Sequence, residues 1–263
     1  RLRGQRHPRL GGQIAIGPRP RPPDPAADLV KLRQPEHIRP PHHHRVGARN
    51  IEPRFHDRGR QQHVVAAVVK GVHPLVEALA DAGLRSIEAG SFVSPKWVPQ
   101  MADAAEVLAN VLAQGAVLPQ VLVPNARYGH KAIEAGARFL SYVISVSESH
   151  SRSNVRVGPN EALADYARLV AEAPAGIRMR LNLATAFHCP FEGMTPATAV
   201  LDLLGRALEV RPDAEVCLCD TTGRADPAHV ASLFAQAKQA FPQVAAWALH
   251  AHDTYGLGLA NVH

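Results

Sequence analysis

The stretch Phe139–Ala184 contains one complete unit of the fold: FLSYVISV (139–146), NEALADYARLVAEA (160–173) and IRMRLNLA (177–184). The first and third segments are apolar and β-prone, as expected of buried strands. The middle segment is rich in alanine and leucine and is long enough for a helix. Strand, helix and strand in this order predict a βαβ unit, and therefore a parallel sheet.

The same alternation continues on both sides of this unit. Further strands are predicted at Arg85–Ala89, Val117–Val123, Ala214–Cys219 and Ala246–His252, and further helices at Leu75–Ala82, Ala102–Ala113, Thr195–Val210 and Pro227–Ala240. With one more strand before Leu75, the chain has about seven βα units, one fewer than a closed barrel. The predicted fold class is α/β: a TIM (β/α)8-type barrel that is incomplete because the eighth strand is absent.

Three helix ends have recognisable signals. Gly83 is predicted to end the first helix, because glycine adopts the left-handed conformation common after a C-terminus. Thr195-Pro196 and Asp226-Pro227 are predicted to begin later helices, each with a capping side chain and a proline in the first turn.

Residues 1–63 differ in composition from the remainder. They contain 14 Lys and Arg against 5 Asp and Glu, a net charge of +9, whereas residues 64–263 contain 15 against 18, a net charge of −3. We expect residues 1–63 to be a disordered Arg/Pro/His-rich segment or a mistranslated one, and residues 64–263 to be a partial barrel domain. A basic arm that binds nucleic acid is the alternative. It is less favoured because Phe55 is the single aromatic residue available for base stacking.

The whole chain has three cysteines without regular spacing and no run of about 18 apolar residues. These features predict a reducing compartment, no disulfide framework and no membrane span. The expected location is the cytoplasm.

Polar residues follow the predicted strands, where barrel enzymes carry their chemistry. Glu88 and Asp220 end two strands, and His250 and His252 project together from one face of another. Two imidazoles on one face can bind a metal ion, or they can be core histidines with satisfied hydrogen bonds. Asp220 could equally cap the segment that follows it, and Glu88 could belong to a structural ion pair.

Several motifs resemble those of hydroxymethylglutaryl-CoA lyases, over roughly residues 75 to 263. They are Ile87–Met101 (IEAGSFVSPKWVPQM), Pro124-Asn125, Ser147-Glu148 with Asn154, Cys189–Gly193 (CPFEG), Asp220–Gly223 (DTTG), His250–Gly256 (HAHDTYG) and Ala260-Asn261. Isopropylmalate and homocitrate synthases share the His-x-His strand, but the segment SFVSPKW favours the lyases.

The resemblance implies cleavage of 3-hydroxy-3-methylglutaryl-CoA, an acyl-CoA thioester, to acetyl-CoA and acetoacetate. It also implies a divalent cation, Mg²⁺ or Mn²⁺, and a place in leucine degradation and ketone-body metabolism. Residue by residue, His250 and His252 match the family's metal-binding histidines, and Glu88 and Asp220 match its active-site carboxylates. A homodimer is a further expectation.

Other positions depart from the family pattern. The family's first strand carries Arg-Asp-Gly, whereas this chain has Asp57-Arg58-Gly59, so Asp57 and Arg58 are candidates with their order inverted. The eighth strand, the loop with the catalytic cysteine and an asparagine ligand would lie beyond His263. We therefore expect weak lyase activity. Rival functions are an acyl-CoA condensing synthase and a non-catalytic relative with a nucleic-acid-binding arm.

The cysteines near Asp220 are assigned a structural role. Cys217 and Cys219 lie on one face of their strand, opposite to Asp220. They are predicted to pack outward against the helices as small apolar residues.

Overall fold

The computed structural model describes residues 74–263. Its strands are β1 (Ser86–Ser91), β2 (Leu118–Val123), β3 (Phe139–Ser145), β4 (Arg178–Ala184), β5 (His188–Cys189), β6 (Gly193–Met194), β7 (Glu215–Asp220) and β8 (Trp247–Ala251). Its helices are α1 (74–81), α2 (Ala104–Gln114), α3 (Ala126–Glu134), α4 (Glu148–Val155), α5 (Pro159–Glu172), α6 (Ala197–Val210), α7 (Pro227–Ala240) and α8 (Gly258–Val262), with a 3-10 turn at Pro99–Met101.

Six strands form one curled sheet in the order β1-β2-β3-β4-β7-β8. Every neighbouring pair is parallel, so helices connect the strands on one side of the sheet. Within residues 74–263, β1 and β8 are the two edges of this sheet. The prediction of an incomplete TIM barrel is confirmed.

The outer face of the sheet forms the hydrophobic core with the helices. Leu140, Tyr142, Ile144, Leu181, Leu183, Val216 and Leu218 all point to this side and are completely buried. The strand register places a different set on the inner face. That set includes Gln120, Ser141, Arg180, Asn182, Glu215, Cys217, Cys219 and His250, together with the apolar Phe139, Val143 and Ala248. The inner face therefore carries most of the polar side chains of the central strands, as expected of a surface that surrounds a site.

The prediction that Cys217 and Cys219 pack outward is wrong. The two residues do share a face opposite to Asp220, but that face is the inner one. Cys217 is in register with Asn182, and Cys219 with His250. The reason is that the apolar pair Val216 and Leu218 takes the helix-facing positions.

The predicted elements of residues 85–252 are found within a few residues of their positions. Helices α3 and α4 and the short antiparallel hairpin of β5 and β6 were not predicted. Helix α3 has a cap signal in the sequence, since Asn125 Oδ1 accepts a hydrogen bond from Tyr128 N at 3.1 Å. The strand expected before Leu75 and the division at residue 63 lie outside the described residues.

Of the two predicted N-terminal helix caps, one is present in the structure and the other is not. Asp226 caps α7, where its Oδ1 accepts from His229 N at 2.8 Å. Thr195 is not a cap, because its hydroxyl donates instead to Thr185 O at 2.7 Å. Gly83 follows α1 with a φ of 93°, as predicted for a helix terminator.

None of the helices within residues 74–263 is both long enough and apolar enough to cross a membrane.

Candidate active site

His250 and His252 lie at the carboxyl end of β8 with their rings side by side. The ring centroids are 4.9 Å apart, because alternate residues of a strand point the same way. Partial desolvation lowers the pKa of both imidazoles, and the Arg180 charge lowers that of His250 further. Both rings therefore favour the neutral form, which is the form that binds metal ions.

Asp220 ends the neighbouring strand and is completely buried. Its Oδ1 accepts from Arg224 N and its Oδ2 from Ala225 N, both at 3.1 Å. Burial raises the pKa of the carboxyl, whereas these backbone hydrogen bonds and the nearby His252 oppose the rise. The structure thus gives Asp220 a loop-holding role in addition to the predicted catalytic one, which stays a prediction.

The loop held by Asp220 lies directly against the histidine loop. Gly223 has a φ of 70°, and a Cβ at this position would lie 2.9 Å from the Thr254 side chain and 3.0 Å from His252 O. Only glycine permits both this backbone conformation and this approach. The loop after β7 therefore fixes the position of the chain that follows His252.

Glu88 lies in β1, opposite the histidines in sheet order, and belongs to a polar group on the inner face. Its carboxyl pKa is raised by desolvation, an effect that a hydrogen bond from Ser141 and the Arg180 charge reduce. Asn182 Nδ2 donates to Ser141 Oγ at 2.6 Å, and Arg180 forms an ion pair with Glu215.

Cys219 lies close to both Glu88 and His250 on this inner face. Glu88 and Arg180 both lie close enough to change the pKa of its thiol, and its register partner is His250. Glu88 and the histidines therefore face the same interior space.

A strained turn closes the carboxyl end of β4. Thr185 has a φ of 56°, which is unfavourable for a β-branched residue. Hydrogen bonds hold it there: its N donates to Thr221 Oγ1 at 2.7 Å, and its Oγ1 is 3.2 Å from Ser147 Oγ. Ser147 also donates to Cys189 Sγ at 3.0 Å. Strain maintained by its surroundings is typical of functional loops.

Ser141, Arg180 and Thr185 were not predicted as site residues from the sequence. The first two could have been found from strand alternation, because both lie on the face that carries Glu215 and Cys217. Thr185 has no signal in the sequence, since its conformation depends on hydrogen bonds from distant segments. Asp57 and Arg58 lie outside the described residues.

The described residues supply only some of the ligands that a bound metal ion needs. Within residues 74–263, no group of three or more His, Cys, Asp or Glu side chains is arranged to hold a metal ion. His250 and His252 are therefore a pair of nitrogen donors and not a complete coordination shell.

Comparison with known proteins gives the family. The HMGL-like family matches residues 57–263. The chain belongs to the HMGL-like family. Hydroxymethylglutaryl-CoA lyase of Pseudomonas mevalonii is 39% identical over 190 residues, which cover 72% of this chain and 62% of that protein. The mitochondrial hydroxymethylglutaryl-CoA lyase of Homo sapiens is 34% identical over 202 residues, covering 76% and 61%.

Solved structures of such lyases share the fold of this HMGL-like chain. The lyase of Brucella melitensis superposes with a TM-score of 0.66 at 34% identity, covering 72% of this chain and 66% of that one. The lyase of Acinetobacter baumannii, in complex with coenzyme A and 3-methylmalate, gives 0.68 at 32% identity, covering 74% and 63%. The chain spans about three-fifths of the length of the two curated relatives named above.

Replacing Glu88 with glutamine is expected to change the pH dependence of stability. Because its pKa is raised above 4.5, the folded state binds the proton more tightly than the unfolded state does. The charged carboxylate therefore costs stability above its folded pKa, and this cost disappears as the pH falls below 4.5. Glu88→Gln should have a slightly higher melting temperature at pH 8, with a smaller difference at pH 5.

The matched control is Glu106→Gln on α2, an exposed carboxyl in the first turn of that helix. It should lose only the small stabilisation of a helix-terminal charge and show no gain in melting temperature at pH 8. A Glu88→Gln protein that melts lower at pH 8 would show that the attraction to Arg180 and the Ser141 hydrogen bond outweigh desolvation.

Proposed function

We propose that this barrel belongs to a carbon–carbon lyase that cleaves 3-hydroxy-3-methylglutaryl-CoA to acetyl-CoA and acetoacetate. The observation that carries the proposal is the pair of adjacent histidines, His250 and His252, facing the same interior as Glu88. The identity to hydroxymethylglutaryl-CoA lyases supports it. The coenzyme A in the structure of the Acinetobacter baumannii lyase supports a CoA thioester as the substrate.

A divalent cation, Mg²⁺ or Mn²⁺, is the proposed cofactor. The neutral imidazoles of His250 and His252 suit two of its coordination positions, whereas the described residues do not supply the rest. When bound, such a cation lowers the pKa of a substrate hydroxyl and orients its oxygens.

Glu88 is the residue that we assign to proton transfer. Cleavage needs a base for the tertiary hydroxyl proton and an acid for the carbon of the acetyl-CoA enolate. Burial raises the pKa of Glu88, the direction expected of a carboxyl that takes part in proton transfer. Ser141 and Asn182 hold it through a hydrogen-bonded chain, so that its carboxyl keeps one position.

Asp220 is assigned a second role, in positioning His252. Its carboxylate fixes the loop 221–225, and Gly223 in that loop lies against His252 O. The buried Asp220 carboxylate also lies close enough to His252 for its charge to raise the pKa of that imidazole. A proton acceptor therefore lies beside the His252 ring.

The experiment is product analysis with the full chain, 3-hydroxy-3-methylglutaryl-CoA and Mg²⁺, with Mn²⁺ binding followed in parallel. We expect acetyl-CoA and acetoacetate in equal amounts. Removing one imidazole removes a ligand, so His250→Ala and His252→Ala should each weaken Mn²⁺ binding by roughly a hundredfold or more and abolish product formation.

His130→Ala is the control, because His130 pairs with Glu172 on the helical surface and should affect neither measurement. Unchanged Mn²⁺ affinity in both histidine variants would refute the proposed metal pair. A condensation product from acetyl-CoA and a 2-oxoacid, without acetoacetate, would favour the rival synthase.

The remaining expectations are proposals as well. Leucine degradation and ketone-body metabolism are the proposed setting, the cytoplasm is the proposed location, and a homodimer is the proposed assembly. Nucleic acid binding by residues 1–63 concerns a segment outside the described residues. Salt-dependent retention of the full chain on DNA would test it.

A further inference from the structure

The two cysteines of β7 form a close pair on the inner face of the sheet. The Sγ atoms of Cys217 and Cys219 are 4.0 Å apart, and the residues are 2% and 6% exposed. The side chains project to the same face because the residues are two apart in a strand. The third cysteine, Cys189, lies in the hairpin strand β5 and contacts Ser147.

We propose that Cys217 and Cys219 form a dithiol site that chelates one soft, thiophilic centre of the trivalent organoarsenical class. Thiolate sulfurs are the protein ligands that soft centres prefer. Two bonds of about 2.3 Å, the length of a zinc–thiolate bond, place their sulfurs about 3.5 Å apart at the pyramidal angle of about 100° that a trivalent centre adopts. The two sulfurs, 4.0 Å apart, therefore need to approach by only about half an ångström, which small side-chain rotations supply.

The surroundings indicate how many protein ligands the centre uses. Within the described part of the chain, no third His, Cys, Asp or Glu joins the pair in a metal-holding arrangement. A zinc-like ion that needs four protein ligands is therefore a poor fit. An organoarsenical carries its own carbon substituent and takes two thiolates from the protein, which this pair supplies.

A disulfide between the two cysteines fits the strand less well. Residues two apart in a strand have Cα atoms about 6.6 Å apart, close to the upper limit of about 6.8 Å for disulfides. Their Cβ atoms would also have to approach to about 3.8 Å. A bridging atom spans the sulfurs without this distortion of β7.

The reaction of the arsenical with the two thiols is balanced without any change of oxidation state. The arsenic–oxygen bond of an aryl arsenic oxide is replaced by two arsenic–sulfur bonds, and the two thiol protons leave with the oxygen as water. Hydrogen bonding to Cys217 and burial raise the pKa of the Cys219 thiol, and the Glu88 charge raises it further.

The test uses the full reduced chain and one equivalent of phenylarsine oxide. We expect one arsenical per chain by native mass spectrometry, and a fall in titratable thiols from the three in the sequence to one. Because the site is preformed in the folded state, binding should raise the melting temperature. A fall in melting temperature would overturn the proposal, since it would place the binding in the unfolded chain.

Cysteine-to-serine variants identify the residues that bind the arsenical. Cys217→Ser and Cys219→Ser should each weaken arsenical binding by roughly a hundredfold or more, because a single thiol loses the chelate advantage. Cys189→Ser is the matched control and should bind like the original chain. Loss of binding in Cys189→Ser, or its retention in Cys219→Ser, would refute the assignment. None of these measurements requires turnover, so the inference stands or fails independently of the proposed lyase activity.

Discussion

Replacing Arg180 with methionine should lower the free energy of unfolding by about 3 kcal/mol. Arg180 is paired with Glu215, and the two side chains are only 21% and 16% exposed. Its guanidinium also lies 5.6 Å from the centre of the Phe139 ring, and its charge acts on Glu88. Methionine retains much of the aliphatic part of the arginine side chain. The expected loss of stability therefore comes chiefly from the Glu215 carboxylate, which is left without its partner charge. Urea denaturation followed by circular dichroism measures this change in the free energy of unfolding.

Arg178 supplies the matched control on the same strand and the same face. Its guanidinium lies 4.5 Å from the centre of the Phe139 ring, but the residue is exposed. Arg178→Met should therefore cost only about 0.5 kcal/mol. Adding Glu215→Gln to Arg180→Met should restore part of the stability, because it removes the unpaired charge. Equal losses for Arg180→Met and Arg178→Met would show that the ion pair is not a structural element of the sheet.

Replacing Asp220 with alanine should cost about 3 kcal/mol and weaken Mn²⁺ binding at the histidine pair. The substitution removes the carboxylate that accepts hydrogen bonds from two backbone N–H groups, those of Arg224 and Ala225, and Ala225 is 1% exposed. A buried donor without a partner carries its full desolvation cost. The freed loop would no longer hold the chain next to His252. Urea denaturation and a Mn²⁺ titration measure the two effects.

Asp226→Ala is the corresponding control, six residues further along the chain. Asp226 caps α7 through one hydrogen bond to His229 N, so its loss should cost about 1 kcal/mol and leave Mn²⁺ binding unchanged. Asp220→Asn should fall between the two, since an amide keeps one acceptor oxygen. If Asp220→Ala were fully stable yet inactive, its role would be chemical and not structural.

The fold was largely predictable because its strands and helices are local patterns. Strand β4 and helix α5 were predicted within a residue or two, since an apolar run and an alanine-rich helix each carry their own signal. Helix α4 was missed because its sequence, ESHSRSNV, is polar and without apolar periodicity. The hairpin of β5 and β6 was missed because each of its strands has only two residues.

The site was predictable only in part. His250 and His252 were placed together from strand alternation alone, and the structure has their rings 4.9 Å apart. The roles of Glu88, Asp220 and both histidines remain predictions. The side of the sheet that Cys217 and Cys219 occupy was predicted wrongly, because alternation separates two faces without saying which of them is inside.

The alternation of the six main strands with their connecting helices, the parallel sheet and the pairing of the two histidines could all be read from the sequence alone. Each of these depends on residues close together in the chain, where backbone periodicity fixes side-chain direction. Three features became visible only in the folded protein: the inward direction of one face of β7, the loop held by Asp220, and the grouping of Arg180 with Glu88 and Glu215. These depend on strand register and helix packing between distant segments, because a buried polar group must find its partners wherever the fold brings them.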